Sequence, residues 1–143
     1  MPPLLPLFVY GTLRQGGRYH QPYLAGRFLS WQPATLSGRL FYEPREEYPC
    51  LLPGSGMARG EIYQLEPATA ASTLARIDRL EEYLPDKETA SLYLRREALA
   101  YREDGEEVKV WVYYWNGGRT GRPVPGNDYA GLLQRGWRKG GEE

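Results

Sequence analysis

A single segment of this 143-residue chain has the composition of a long helix, and the rest consists of short apolar runs separated by turn residues, as in β-structure. Residues 67–83 are mostly good helix formers, with Pro67 suited to the first turn and Pro85 just beyond the end. The strand-like runs around this segment show no repeat period and no regular alternation of strand and helix. We therefore predict one domain over residues 1–143 with an α+β fold: a curved, barrel-like mixed sheet of five to seven strands with one main helix.

The strand predictions rest on apolar runs bounded by turn residues. They cover residues 5–10, 34–42, 48–54 (a short edge strand), 58–65, 93–101 and 107–115. The last two runs flank Asp104-Gly105, which is a strong hairpin signal. A short helical turn is expected near residues 20–25. The glycine- and proline-rich tail from about residue 116 predicts irregular chain.

Composition narrows the classes of partner. Eighteen basic residues balance eighteen acidic ones, so no global field attracts nucleic acid or an anionic membrane, and we expect a small-molecule substrate. No apolar run approaches the roughly 20 residues of a membrane helix, and the start of the chain lacks the features of a signal peptide. We expect a cytoplasmic protein of unknown oligomeric state.

Glu81 is the most informative polar residue of the predicted helix. Projected at 100° per residue, Leu74 and Ile77 define an apolar stripe, and Glu81 falls inside it, whereas Glu82 turns about 100° away. A carboxylate on a core-facing stripe is desolvated, which raises its pKa toward the range useful for proton transfer. Glu81 is therefore a candidate acid/base group.

An alternative is that the helix end leaves the core at this point. Glu81 would then be solvated, or paired with Arg14, Arg95 or Arg96. Helix geometry alone favours this alternative.

Other kinds of site have less support in the sequence. A nucleophilic pair of Cys50 and His20, the only cysteine and the only histidine, would join two unrelated contexts. No Cys/His cluster has metal-ligand spacing, and no phosphate-binding glycine motif follows a strand. We expect no metal, nucleotide or other cofactor.

Two stretches resemble a known family. Phe-Val-Tyr-Gly-Thr-Leu-Arg at residues 8–14 resembles the strand-and-loop motif of the γ-glutamylcyclotransferase-like family, which includes γ-glutamylamine cyclotransferases and AIG2-like proteins. Ile-Asp-Arg-Leu-Glu-Glu-Tyr at residues 77–83 is similar to that family's Leu-Asp-x-x-Glu-Gly-Tyr helix end. Further motifs follow in the family's order, so the resemblance covers roughly residues 5–115.

The resemblance implies an enzyme that releases 5-oxoproline from a γ-glutamyl amine or peptide, with Glu81 as the catalytic base. It implies that the loop after the first strand forms the substrate cavity and supplies backbone N–H groups. The expected substrate-binding residues are Tyr10, Gly11, Thr12, Leu13, Arg14 and Tyr113. For Tyr113, a role as a packed cross-strand aromatic is supported as well as substrate binding is. For Arg14, the alternative is that the side chain is only solvated, as an exposed loop arginine more often is.

Two questions stay open from the sequence. The family usually has Gly directly after its catalytic Glu, and Glu82 stands there in this chain; we expect it to raise the pKa of Glu81 or to change the preferred substrate charge. The alternative function is a non-catalytic ligand-binding or protein-interaction module with the same fold.

Overall fold

The computed structural model describes residues 4–43, 48–118 and 120–130. Within them the chain forms, in order, β1 (Leu7–Val9), α1 (His20–Tyr23), β2 (Phe28–Glu43), β3 (Tyr48–Leu65), α2 (Ala70–Leu80), β4 (Tyr93–Arg102), β5 (Glu107–Trp115) and β6 (Arg122–Pro123). Single turns of 3₁₀-helix lie at Glu88–Ala90 and Pro125–Asn127. None of the described helices is long and apolar enough to cross a membrane.

Five of the strands close into a mixed barrel. The three-residue β1 lies between β3, to which it is antiparallel, and β5, to which it is parallel. Antiparallel pairing continues from β5 to β4, from β4 to β2 and from β2 back to β3, while β6 adds to the far end of β2. The predicted α+β class and barrel-like mixed sheet with one main helix are confirmed.

The elements differ from the prediction at several boundaries. Residues 48–54 and 58–65, expected to be two strands, belong to one long β3 that pairs with β2 on both sides of an irregularity opposite Gly38. Residues 48–52 of this strand pair with β2 alone among the described residues, so the stretch expected to be an edge strand has one partner strand. Helix α2 is shorter than residues 67–83 at both ends, because a turn precedes Thr69 and a helix cap ends it at Glu81.

Two hydrophobic clusters lie on opposite faces of the barrel wall. Strand β1 contributes to both, since Phe8 is buried in one cluster and Leu7 and Val9 in the other, as the two-residue period of a strand requires. The first cluster draws on all five barrel strands and fills the interior. The second packs the outer wall against Ala70 and Ile77 of α2.

The start of the predicted irregular tail is better ordered than expected. Val124 and Tyr129 are buried in the interior cluster, and β6 pairs with β2. Residues 131–143 of that tail lie outside the described residues.

Candidate active site

A cavity of about 390 Å³ lies between the end of β1, the end of α2 and the β4–β5 hairpin. The residues that line it come from distant parts of the sequence: Phe8, Val9, Tyr10, Gly11, Thr12, Leu13, Arg18, Tyr19, Pro49, Leu80, Glu81, Glu82, Tyr93 and Tyr113. The structure thus brings six of the seven predicted site residues together, all except Arg14. Arg18, Tyr19, Pro49 and Tyr93 were missed by the sequence analysis.

The end of α2 fixes the position of Glu81 in the cavity wall. Ile77, one turn earlier, is fully buried against the barrel, so the helix face that carries Glu81 is anchored. Glu81 is the C-terminal cap, and its N–H donates to the Ile77 carbonyl at 2.9 Å. The helix therefore does not leave the core here, and Glu81 is partly buried rather than fully solvated.

Glu82 adopts the left-handed conformation that ends a helix in a Schellman motif. Its φ is 55°, its N–H donates to the Arg79 carbonyl at 3.2 Å, and the Tyr83 N–H donates to the Asp78 carbonyl at 2.9 Å. Glycine is the usual residue at this position because it has no β-carbon to clash. The left-handed turn directs the chain away from the helix and leaves Glu82 exposed.

The environment of Glu81 raises the pKa of its carboxyl group to about 8, first by burial and second through the nearby negative charge of Asp78. Two arginines considered as its partners are engaged elsewhere: Arg95 binds Asp78, and Arg96 binds Glu88 at 2.7 Å. Asp78, rather than the adjacent Glu82, is the charged group that raises this pKa. Among the described residues, no hydrogen-bond donor reaches the Glu81 carboxylate.

Asp78 connects the helix to the hairpin through a network that the sequence analysis missed. The Arg95 guanidinium binds it through two nitrogens, Nε to Oδ1 at 2.9 Å and Nη2 to Oδ2 at 3.3 Å, and lies over the Trp111 ring at 4.5 Å. The Tyr113 hydroxyl also donates to Asp78 Oδ1, while the Tyr10 hydroxyl donates to the Tyr113 carbonyl. Burial raises the pKa of both tyrosines, so they stay protonated and act as donors in this network.

The loop after β1 forms the wall that faces Glu81. A β-carbon on Gly11 would lie 2.2 Å from Pro49 Cγ, so only glycine lets the loop pack against β3 here. Pro49 is itself held by Tyr93, whose hydroxyl donates to the Pro49 carbonyl at 2.6 Å. Within the described part of the chain, the N–H groups of Thr12 and Leu13 have no acceptor, and both residues line the cavity.

The structure does not bring Arg14 to this cavity. Its Nε lies 3.3 Å from Oε2 of the buried Glu61, and its Nη1 lies 2.8 Å from Asp128 Oδ1. Glu61 also accepts hydrogen bonds from the Gln15 N–H and the Tyr63 hydroxyl, each at 2.9 Å. Arg14 therefore ties the loop to β3 and to the segment that follows β6.

His20 and Cys50, the remaining candidates from the sequence, are both buried outside the cavity lining. The Nδ1 atom of His20 lies 3.0 Å from the Leu13 carbonyl oxygen, so this side chain contacts the loop after β1. Cys50 is fully buried in the outer cluster. Across residues 4–43, 48–118 and 120–130, no group of three or more His, Cys, Asp or Glu side chains could hold a metal ion.

Comparison with known proteins identifies the family of this chain. The model of the family described as gamma-glutamyl cyclotransferase, AIG2-like, matches residues 7–138. The chain is 36% identical over 110 residues to the gamma-L-glutamyl-butirosin B gamma-glutamyl cyclotransferase of Niallia circulans, and the match covers 77% of this chain and 66% of that enzyme.

Solved structures share the architecture. An AIG2-like protein from Mus musculus has a TM-score of 0.62 and 25% identity, over 80% of this chain and 79% of the mouse chain. An uncharacterized protein from Pyrococcus horikoshii has a TM-score of 0.62 and 22% identity, over 92% and 95% of the two chains, and shows the fold alone. With its family model matched over nearly the whole sequence, the chain belongs to the gamma-glutamyl cyclotransferase, AIG2-like family of enzymes.

Proposed function

We propose that this protein converts a γ-glutamyl amine or γ-glutamyl peptide into 5-oxoproline and a free amine, with Glu81 as the general base. The observation that carries the proposal is the position of the Glu81 carboxylate. It is partly buried, it has no hydrogen-bond donor among the described residues, and it shares one cavity with the free N–H groups of the loop after β1. A carboxylate placed in this way is available to a ligand.

The reaction needs no nucleophile from the protein. The α-amino nitrogen of the substrate attacks its own γ-carbonyl carbon, a C–N bond closes the five-membered ring, and the bond from that carbon to the departing nitrogen breaks. Because the attack is intramolecular, the protein has only to fold the substrate, move a proton and stabilise the oxyanion. Glu81 takes the proton from the substrate ammonium and returns one to the departing amine.

The cavity walls supply the other two requirements. The N–H groups of Thr12 and Leu13 suit the substrate carboxylate or the developing oxyanion. The hydroxyl oxygens of Tyr10 and Tyr113, whose protons are already donated within the protein, retain lone pairs that can accept from the substrate ammonium. Arg14 has no part in this scheme because its guanidinium pairs outside the cavity.

A carboxyl pKa of about 8 suits the proposed proton transfer. General bases work best when their pKa lies near the working pH, since a weaker base has little driving force for taking a proton from an ammonium group. An ordinary solvated glutamate would be less effective in this role.

The test is the variant Glu81→Gln, assayed for 5-oxoproline release from a panel of γ-glutamyl amines and dipeptides. Glutamine keeps the shape but cannot accept the proton, so we expect turnover to fall by about 10²- to 10⁴-fold. Asp86→Asn is a matched control, because Asp86 is an exposed acid outside the cavity lining. Undiminished activity of Glu81→Gln, or an equal loss in Asp86→Asn, would contradict the assignment.

A further inference from the structure

Glu82 has a long charged side chain in a backbone conformation that favours glycine. Its φ of 55° lies in the left-handed region, where a β-carbon is disfavoured. Glycine would complete the helix cap with the same backbone hydrogen bonds and without that strain. Strained residues of this kind cluster at functional sites, which directs attention to the carboxylate itself.

Glu82 lies on the open side of the cavity. It is exposed and lines the same cavity as Glu81, from which it is one residue removed. Arg18 is the other exposed charged residue of the lining. The exposed part of the cavity lining therefore carries one acidic and one basic group.

The proposed reaction decides which part of a substrate meets Glu82. If the loop after β1 holds the carboxylate end of the γ-glutamyl group, the departing nitrogen lies against Glu81, which returns a proton to it. The remainder of the departing amine then leaves past the end of α2, next to Glu82. Arg18 belongs to the loop side, where its guanidinium lies over the Tyr19 ring at 5.2 Å.

We propose that Glu82 selects γ-glutamyl amides whose departing amine carries a second positive charge, as in a conjugate of a diamine or polyamine. The inference rests on the proposed function and adds the class of departing amine. The selection is modest, because an exposed ion pair changes binding by no more than about fivefold. It is also weakened by salt, since both charges are in contact with solvent.

The experiment compares three γ-glutamyl amides of similar length, made from 1,4-diaminobutane, butylamine and 4-aminobutyrate. Their departing amines carry a second charge that is positive, absent or negative. The measurement is kcat/KM for 5-oxoproline release at low ionic strength. We expect the diamine conjugate to exceed the butylamide by about three- to fivefold, and the aminobutyrate conjugate to be the poorest of the three.

Variants assign the preference to one residue. Glu82→Gln and Glu82→Gly should both bring the ratio of kcat/KM for the diamine conjugate to kcat/KM for the butylamide close to one. Glu82→Lys should make the aminobutyrate conjugate a better substrate than the diamine conjugate. Asp86→Asn should keep the preference of the unaltered protein, since Asp86 lies outside the cavity lining. Adding salt to about 1 M should remove most of the preference, because the Debye length falls to about 3 Å.

The outcomes separate this inference from the proposed function. If all three amides release 5-oxoproline at equal kcat/KM, or if Glu82→Gln keeps the preference, the selection by Glu82 is wrong while the cyclotransferase function stands. A preference for the aminobutyrate conjugate would overturn the proposal. If none of the amides releases 5-oxoproline, the proposed function fails and the inference fails with it.

Discussion

Glu81 holds its proton more tightly in the folded protein than in the unfolded chain. Its carboxyl pKa is about 8 when folded, against an ordinary value of 4.5 for glutamate. Between these two values the folded state binds a proton that the unfolded state has released, so stability falls as pH rises. The stabilising contribution is complete below pH 4.5 and is lost as pH rises through 8.

This linkage predicts a pH-dependent effect of Glu81→Gln on stability. Glutamine is neutral at every pH, so the variant should gain melting temperature relative to the unaltered protein at pH 9 and show little gain at pH 4.5. Thermal unfolding at several pH values measures the difference. A gain that is independent of pH, or one that grows toward acid, would show that the carboxyl pKa of Glu81 is not raised. The same measurement shows whether lost activity in this variant reflects lost structure.

At the scale of single residues, the sequence carries signals about local neighbours. The helix projection put Glu81 on the apolar stripe formed one and two turns earlier, because residues on one helix face are close in sequence, although helix geometry alone favoured the alternative in which the helix end leaves the core. The sequence carries no such signal for partners that are distant along the chain. Arg14 was expected to bind substrate, and nothing in its loop indicates Glu61, 47 residues on, or Asp128, 114 residues on.

At the scale of elements, the C-terminus of α2 shows why helix boundaries are hard to predict. The prediction continued the helix to residue 83, since neither Glu81 nor Glu82 is a helix breaker. The structure ends it at Leu80 with a Schellman motif in which Glu82 takes the place usually held by glycine. A sequence signal for this cap would have been a glycine, and the chain has none there.

Glu82→Gly should therefore stabilise the protein. Relief of the left-handed strain contributes about 1 kcal/mol, and the larger entropy of glycine in the unfolded chain offsets part of it, leaving a net gain of about 0.5 kcal/mol. Urea unfolding measures the free energy of unfolding. Glu82→Ala is the matched control, because alanine also removes the carboxylate but keeps the β-carbon.

If glycine destabilises the protein relative to alanine, the left-handed conformation of Glu82 is wrong. A gain in Glu82→Gly together with a lost preference for cationic amines would identify a residue retained for selectivity at the expense of stability.

At the scale of the whole molecule, the cavity lies where the two hydrophobic clusters meet. Tyr10 belongs to the barrel interior and Tyr113 to the outer cluster that packs against α2, and one hydrogen bond joins them. The sequence predicted a curved, barrel-like sheet from its strands and turns. It did not predict which strands close the barrel, because β1 pairs with β3 more than 50 residues away and with β5 more than 100 away.

The network around Asp78 gives the last prediction, because it joins α2 to the hairpin next to the proposed base. In the unaltered protein kcat/KM should rise with pH and reach half of its maximum near pH 8, because Glu81 loses its proton there. Asp78→Asn removes a negative charge that raises this pKa, so the midpoint should move to lower pH. It should stay above the ordinary glutamate range, because burial is the larger cause.

Stability separates this charge effect from a merely structural one. Asp78→Asn weakens the contact with Arg95, which should cost about 1–3 kcal/mol, since both side chains are largely buried. The control Glu97→Gln removes an exposed contact to Lys109 at 3.6 Å on the same hairpin, and should change stability by less than about 1 kcal/mol without moving the midpoint. A structural defect alone lowers the rate at every pH and leaves the midpoint in place. If the midpoint of the pH profile stays in place or moves to higher pH in Asp78→Asn, Asp78 supports the fold without raising the pKa of Glu81.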